Sequence, residues 1–243
     1  MNPRHHDLLA PLPTQEYELF FPHLELVSLT KGQVLFDTGE VPAFVYFPVG
    51  AVVSIICELD GNLNIESNMV GRSSMVGLTN TGQESFYKAE VRTSGLAYRI
   101  NAQTYRQLRK QCPIFIEGLT LAQAASLRYT SFTGACARHH PIDQQMLRWM
   151  LISLDRSLLS TIDITHAELS RLLGFRREAV TLTLGRLVEA GTIKLGRGAI
   201  EVIDRTALEK QACECYWRIS GKQRLSFTSL VNPSGIAANT TRQ

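Results

Sequence analysis

The stretch Thr165-His166-Ala167-Glu168-Leu169-Ser170-Arg171-Leu172-Leu173-Gly174-Phe175-Arg176-Arg177-Glu178-Ala179-Val180 decides the reading of this chain. Thr165 and Glu168 are spaced as a capping box, in which the Thr hydroxyl accepts from the amide three residues on and the Glu reaches back. Ile164 and Leu169 stand where a hydrophobic staple would stand. A helix is therefore predicted to start at His166 and to stop at Gly174. A second helix should run from about Arg177 to Ala190, with Gly191 capping its end and Val180, Leu184, Leu187 and Val188 as its apolar face. Two helices joined by a tight turn containing Gly make a helix-turn-helix. Leu169, Leu173, Phe175 and Val180 take its buried positions, and Ser170 is the small residue at the crossing. Thr183 stands where a larger apolar residue is usual.

Just downstream, Thr192–Leu195 and Ala199–Ile203 flank Gly196-Arg197-Gly198, a hairpin that would form a wing. Arg171, Arg176, Arg177, Arg186, Lys194 and Arg197 face only Glu178 and Glu189, a local net charge of +4, whereas the whole chain carries +3. Cationic surface is thus local, not global. Arg176, Arg177 and Glu178 open the second helix, the end that a recognition helix points into the major groove. Arg can donate twice to guanine, and Glu can accept from cytosine. Thr181 and Leu182, one turn on, suit thymine methyl groups. Thr165 and His166, at the start of the first helix, and Arg197 in the wing are placed for phosphates. For an isolated helix a solvated N-terminus would explain the charges, since Glu is favoured there by the helix dipole. The turn, the wing and the local charge together argue for duplex DNA.

Upstream, residues 26–100 read as short strands. Turn signals recur at Lys31-Gly32, Thr38-Gly39, Val49-Gly50, Asp60-Gly61, Gly71, Thr81-Gly82 and Ser94-Gly95. Between them lie Gln33–Phe36, Phe44–Phe47, Ala51–Cys57, Leu63–Ser67 and Leu96–Ile100, as in a small sandwich, barrel or roll. A short helix carrying Tyr17, Phe20, Phe21 and Leu24 precedes them. The longest uncharged run, Val41 to Cys57, is interrupted by Pro42, Pro48 and Gly50 and is rich in β-branched residues, so it reads as two strands and not a membrane span. Ala102 to Lys110 is a short helix stopped by Pro113, and Ile114 to Arg138 is a long one. Ile116, Leu119, Gln123, Ser126, Thr130, Thr133 and Ala137 form a stripe along it, read as a dimer seam or as packing on its own β domain. His139-His140-Pro141 ends that helix and marks a domain boundary. Met146, Leu147, Met150, Leu151 and Leu154 give an amphipathic helix after it. The expected division is 1–113, 114–140, 141–220 and a disordered tail over 221–243.

The five cysteines, at 57, 112, 136, 213 and 215, fit no disulfide framework and suit a reducing cytoplasm. Asp204 caps a last helix with Leu208, Ala212, Cys215, Tyr216 and Ile219 on one face. On one helix Cys213 and Cys215 point apart, so no metal site is expected there and Cys215 reads as a small hydrophobe. The six histidines, at 5, 6, 23, 139, 140 and 166, leave the β region without one, which excludes a His-built metal site in it. The adjacent pairs His5-His6 and His139-His140 read as surface residues. With no phosphate-cradling Gly motif and no nucleophile elbow, an enzyme is not expected.

This order of elements resembles the Crp/Fnr superfamily of bacterial transcription regulators over roughly residues 8 to 218. Gly174-Phe175-Arg176-Arg177-Glu178-Ala179-Val180 is similar to the family's recognition segment. Lys31-Gly32-Gln33-Val34-Leu35 and Val70-Gly71-Arg72-Ser73-Ser74-Met75-Val76-Gly77 are weaker matches. The resemblance implies an α+β chain: an N-terminal jelly-roll-like, cyclic-nucleotide-binding-like β-roll, a long dimerisation helix and a C-terminal winged helix-turn-helix. It implies a homodimer on double-stranded promoter DNA, with RNA polymerase as a partner if it activates. The departures argue against classical gating by cyclic AMP. Gly71-Arg72-Ser73 reverses the charge of the family's Gly-Glu-Leu, and the family's Arg-Ser pair is replaced near Lys88. Gly71, Arg72, Ser73, Ser74 and Lys88 remain candidates for another anion, which would make this a ligand-gated regulator with a divergent cassette. Without a Cys before Cys57, the iron–sulfur sensor of Fnr-type members is not expected, and no cofactor is assigned. Leu182 replaces the family's second Arg, so the operator should differ from the classical one. A module that uses the winged helix to bind protein is the other reading.

Overall fold

The computed structural model describes residues 2–60, 63–77, 82–157 and 159–220. Period-two patterning builds its N-terminal half. Strands β1 (Glu25–Leu29), β2 (Val34–Phe36), β3 (Phe44–Pro48), β4 (Val52–Leu59), β5 (Leu63–Val70), β6 (Lys88–Thr93) and β7 (Gly95–Asn101) form two antiparallel sheets. Their orders are β1-β7-β3 and β2-β6-β4-β5. Alternate side chains explain why two sheets face each other. Leu29, Tyr46 and Ala97 from one sheet meet Phe36, Val53, Val70, Ala89 and Val91 from the other in a shared interior. Their neighbours Val45, Phe47, Tyr98 and Ile100 point outward onto helix α1 (Thr14–Phe20), helix α2 (Ala102–Leu108) and the start of helix α3 (Pro113–His139). β1 and β6 were not singled out in the sequence because Glu25–Leu29 is mostly exposed and Lys88–Thr93 is charged on alternate residues.

Pro113 opens α3 at its first position, where a missing amide costs nothing. The helix is 27 residues long, about 40 Å. Its sequence-predicted stripe does not stay on one free face. Leu119 and Thr133 are buried against their own chain, and Ser126 is bonded by Asn68 of β5. The exposed line lies one residue on: Thr120, Ala124, Leu127, Ser131, Gly134 and Arg138, with Leu127 70% exposed.

Helix α4 (Ile142–Arg156) is not amphipathic as expected but buried on all sides from Gln145 to Leu154. A helix enclosed all round lies between two bodies. Here Val52, Ile56 and Met69 of the β-roll share one core with α4 and the C-terminal domain. Trp149 donates its indole N–H to Glu66 of β5 at 2.6 Å, and Ser54 donates to the same carboxylate. Burial pushes the pKa of Glu66 up despite these bonds.

The C-terminal domain continues through β8 (Thr161–Asp163), α5 (His166–Leu173), α6 (Arg177–Glu189), β9 (Ile193–Gly196), β10 (Ala199–Val202), α7 (Arg205–Gln211) and α8 (Glu214–Ser220). The wing gains a third strand, in the order β8-β10-β9. The last helix of the sequence reading is two. Asp204 caps α7 as expected, but Ala212 is extended (φ −69, ψ 144) and the chain restarts at Glu214. Cys213 and Cys215 are therefore not on one helix and do not diverge, which removes the reason for dismissing them as ligands. The histidine pairs also differ from expectation, because His6 is fully buried and His140 is turned inward. The tail at 221–243 lies outside the described residues. Among the described residues no helix is long and apolar enough to cross a membrane.

Candidate nucleic-acid interface

The capping box forms as read: the Thr165 hydroxyl accepts from the Glu168 amide at 3.1 Å, and Glu168 accepts from the Thr165 amide at 2.8 Å. Burial works against the charge of Glu168, yet its bonds to Thr165 and the nearby Arg92 and Lys31 hold its pKa below the usual carboxylate range. That charge faces the β-roll, where Lys31 lies 3.5 Å and Arg92 3.8 Å away. Gly174 takes φ +70, the left-handed conformation that a side chain resists. Ser170 secures the turn by donating to the Phe175 carbonyl at 2.5 Å. Leu169, Leu172, Val180, Leu184 and Leu187 are buried where the helices cross, together with Thr183, which accepts from Arg186 at 3.1 Å. Leu172 is better buried than Leu173, and Val188 is 40% exposed, so both differ from the sequence reading.

This packing turns the opposite side of α6 outward. Arg176, extended at the N-cap, and Arg177, Glu178, Thr181 and Leu182 are all exposed, Leu182 at 70%. No side chain caps α6, in contrast to α5. The side chains of Arg176, Arg177, Lys194 and Arg197 make no ion pair with any described residue. Cations gathered at a helix N-terminus oppose the dipole, so stability does not account for them. His166 and Thr181 share a hydrogen bond at 3.0 Å, tying the start of α5 to the outer face of α6. Thr165, His166 and Arg177 line one groove with Leu195, Gly196 and Gly198 of the wing. The structure therefore brings Thr165, His166, Arg177 and the wing turn that carries Arg197 to one face. Lys194 on β9, exposed on the wing, belongs there by charge although it was read only as part of the local total.

The second group of candidates stays apart. Gly71, Arg72, Ser73 and Ser74 form a turn after β5, closed by a Ser74 amide to Gly71 carbonyl bond of 3.2 Å. Arg72 lies 3.5 Å from Asp7, and Ser74 is met by His6. Lys88 on β6 faces Asp37 at 3.9 Å and Glu58 at 3.8 Å instead. Val70 is level with Val53 of β4 and Lys88 with Ile56, so the two places are three strand positions apart, about 10 Å along β4.

A family model described as the Crp-like helix-turn-helix domain matches residues 144–211. The chain is 23% identical over 208 residues to the cyclic AMP receptor protein of Thermus thermophilus, covering 84% of this chain and 96% of that protein. Two solved structures share the fold. A transcriptional regulator of the Crp family, also from Thermus thermophilus, has a TM-score of 0.66 at 18% identity, covering 76% of this chain and 96% of that one. FixK2 from Bradyrhizobium japonicum has a TM-score of 0.64 at 16% identity, covering 78% and 98%. The geometry of the winged helix and these likenesses agree: residues 144–211 form a Crp-like helix-turn-helix domain, and the chain as a whole is similar to transcription regulators of the Crp family.

Proposed function

We propose that the chain acts in the cytoplasm as a homodimeric, sequence-specific regulator, not an enzyme, that places α6 of each subunit in a major groove of promoter DNA. The observation that carries this reading is the row of uncompensated cations and exposed side chains on one face of α6 and the wing. Arg176, Arg177, Glu178, Thr181 and Leu182 contact base edges. Thr165, His166 and Arg197 hold phosphates, aided by the first turn of α6, whose amides no side chain caps. Dimerisation uses the exposed line of α3 around Ala124, Leu127, Ser131 and Gly134, whose small residues allow close approach. Two half-sites then lie about 34 Å apart. RNA polymerase is the further partner if the protein activates.

Cyclic AMP does not gate this protein in the classical way. Arg72 and Lys88 are apart and each faces a carboxylate, so neither offers a free charge to a cyclic phosphate. Selection of duplex DNA from a random pool, at fixed salt and with or without cyclic AMP, tests both statements. A palindrome enriched equally in both arms is the expected result. Enrichment only with the nucleotide would refute the second statement and favour a divergent anion cassette. No palindrome in either arm would count against the dimer on DNA and for a protein-binding winged helix.

A further inference from the structure

Four side chains that DNA binding leaves idle meet at the end of the long helix. Cys136 lies in the last turn of α3 and His140 follows at its C-cap. Cys213 and Cys215 bracket the start of α8. Their ligand atoms all lie within 4.8 Å of one another. The sulfurs of Cys136 and Cys213 are 3.7 Å apart, and the Cys215 sulfur is 3.6 Å from His140 Nδ1. Around a tetrahedral zinc ion, with Zn–S about 2.3 Å and Zn–N about 2.0–2.1 Å, the expected separations are about 3.8 Å and about 3.6 Å. The three cysteines are buried and the His140 side chain is only 18% exposed, so the cluster is closed to bulk water.

The surroundings fit the same chemistry. His140 Nε2 faces the Glu214 carboxylate at 3.4 Å. An imidazole that donates through Nε2 keeps its Nδ1 lone pair for an ion, and such carboxylate partners orient metal-bound histidines. The Tyr216 amide donates to the Cys213 carbonyl at 3.1 Å, which holds Cys213 against the start of α8. Three thiolates around a divalent ion leave one negative charge. Beside them lies Arg148, 2% exposed, which donates to Cys136 and to Thr133. Its Nε has no hydrogen-bond partner, and it forms no ion pair among the described residues. The Glu66 carboxylate acts on this guanidinium without pairing with it directly; a buried guanidinium with no contacting anion is costly, and a thiolate-rich metal site supplies one.

We propose that Cys136, His140, Cys213 and Cys215 form a closed site for one thiophilic divalent cation, zinc in the first place, that fastens the end of α3 to the start of α8. On binding, three S–H bonds give way to three metal–sulfur bonds and three protons leave to solvent, while neutral His140 gives its Nδ1 lone pair. The site would couple the helix that carries the dimer seam to the domain that carries α6.

The test is metal analysis of the full chain, purified with reductant and without chelator, followed by cobalt(II) titration of the metal-stripped protein. About one zinc per chain is expected, with intense visible bands of tetrahedral cobalt and thiolate-to-cobalt charge transfer. Cys213→Ser with Cys215→Ser should lose both, and Cys57→Ser should keep both. Glu214→Gln should retain the bands but bind about 10–100-fold more weakly. The wild-type measurements stand even if a ligand variant fails to fold. Zinc-free protein with only the weak spectrum of octahedral cobalt overturns the proposal. So does an iron chromophore in place of zinc, or a Cys136–Cys213 disulfide in reductant-treated protein that binds no metal.

Discussion

The β-roll and the outer face of the winged helix use their cations in opposite ways, while Arg171 on α5, turned to the β-roll, is paired with Glu90 at 3.4 Å. In the β-roll Lys31, Arg72, Lys88, Arg92 and Arg99 each lie within 4.0 Å of a carboxylate. In the winged helix Arg176, Arg177, Lys194 and Arg197 have no such partner among the described residues. A paired charge offers little to an incoming anion, and where the pair is exposed, unlike that of buried Arg92, it adds little to stability. An unpaired row raises the local potential and gains entropy when phosphates displace counterions. The contrast explains why a chain of net charge +3 can present a DNA-binding face, and why its family-like turn at Gly71–Ser74 does not look like a phosphate cassette.

The largest expected effect tests whether the β-roll turn is sealed. His6 is fully buried, accepting from the Leu8 amide at 3.2 Å and donating from Nε2 to the Ser74 carbonyl at 2.9 Å. Burial holds its pKa at about 4, down from 6.5, with Arg72 adding to the effect. The unfolded chain takes up the proton near pH 6.5, and the folded chain does not until about pH 4. Stability is therefore full above pH 6.5 and falls through that window, by roughly 3 kcal/mol at its lower end. Urea midpoints at pH 7 and pH 5 should fall in the wild type and change less in His6→Gln. Equal falls in both would mean that His6 is not seated, and the turn would then be open.

Next comes the free side of the contrast. Arg177→Ala should weaken binding to the selected site by about 1–3 kcal/mol and relax specificity at one position. Lys194→Ala should weaken all sequences alike and lower the salt slope by about 1. Titrations at several salt concentrations separate the two. If Arg177→Ala also acts uniformly, α6 reads phosphates and not bases at that position.

How much of this was open to reading follows from the range of each interaction. The capping box, the turn at Gly174 and the wing hairpin are fixed by residues within a few positions of one another, and all three formed as read. The exposed face of α6 followed from them. His6 could not be read, since its partner Ser74 is 68 residues away. The enclosure of α4 was equally hidden: Met146, Leu147 and Met150 show one apolar face, but the other is covered by Glu66 bonding to Trp149 from 83 residues off. The cysteine cluster failed on one local error. Reading α7 and α8 as a single helix sent Cys213 and Cys215 apart, and an extended Ala212 brings them together. The α3 stripe is not one free face because burial on the chain's own β-roll and exposure to solvent use adjacent lines of the same helix.

A smaller effect concerns the hinge of the winged helix alone. Gly174→Ala meets no neighbour within 4 Å, so its cost is the strain of φ +70, about 1–2 kcal/mol. Thermal melting should fall by a few degrees while the DNA sequence preference is kept. A larger loss, or a changed preference, would mean that the turn sets the angle of α6 rather than merely permitting it.

The smallest effects belong to the paired cations, and they decide the contrast. Arg72→Ala removes one exposed ion pair and Lys88→Ala two long ones, so each should change stability by less than about 1 kcal/mol. Neither should alter affinity for the selected duplex, because both lie outside the face formed by α6 and the wing. Fluorescence anisotropy with labelled duplex, with and without cyclic AMP, reads this directly. If Lys88→Ala abolished a nucleotide-dependent rise in affinity, then Asp37 and Glu58 would be temporary partners that yield to a ligand. The β-roll would then hold its charges in reserve, and pairing in the unliganded chain would no longer separate a structural cation from a binding one.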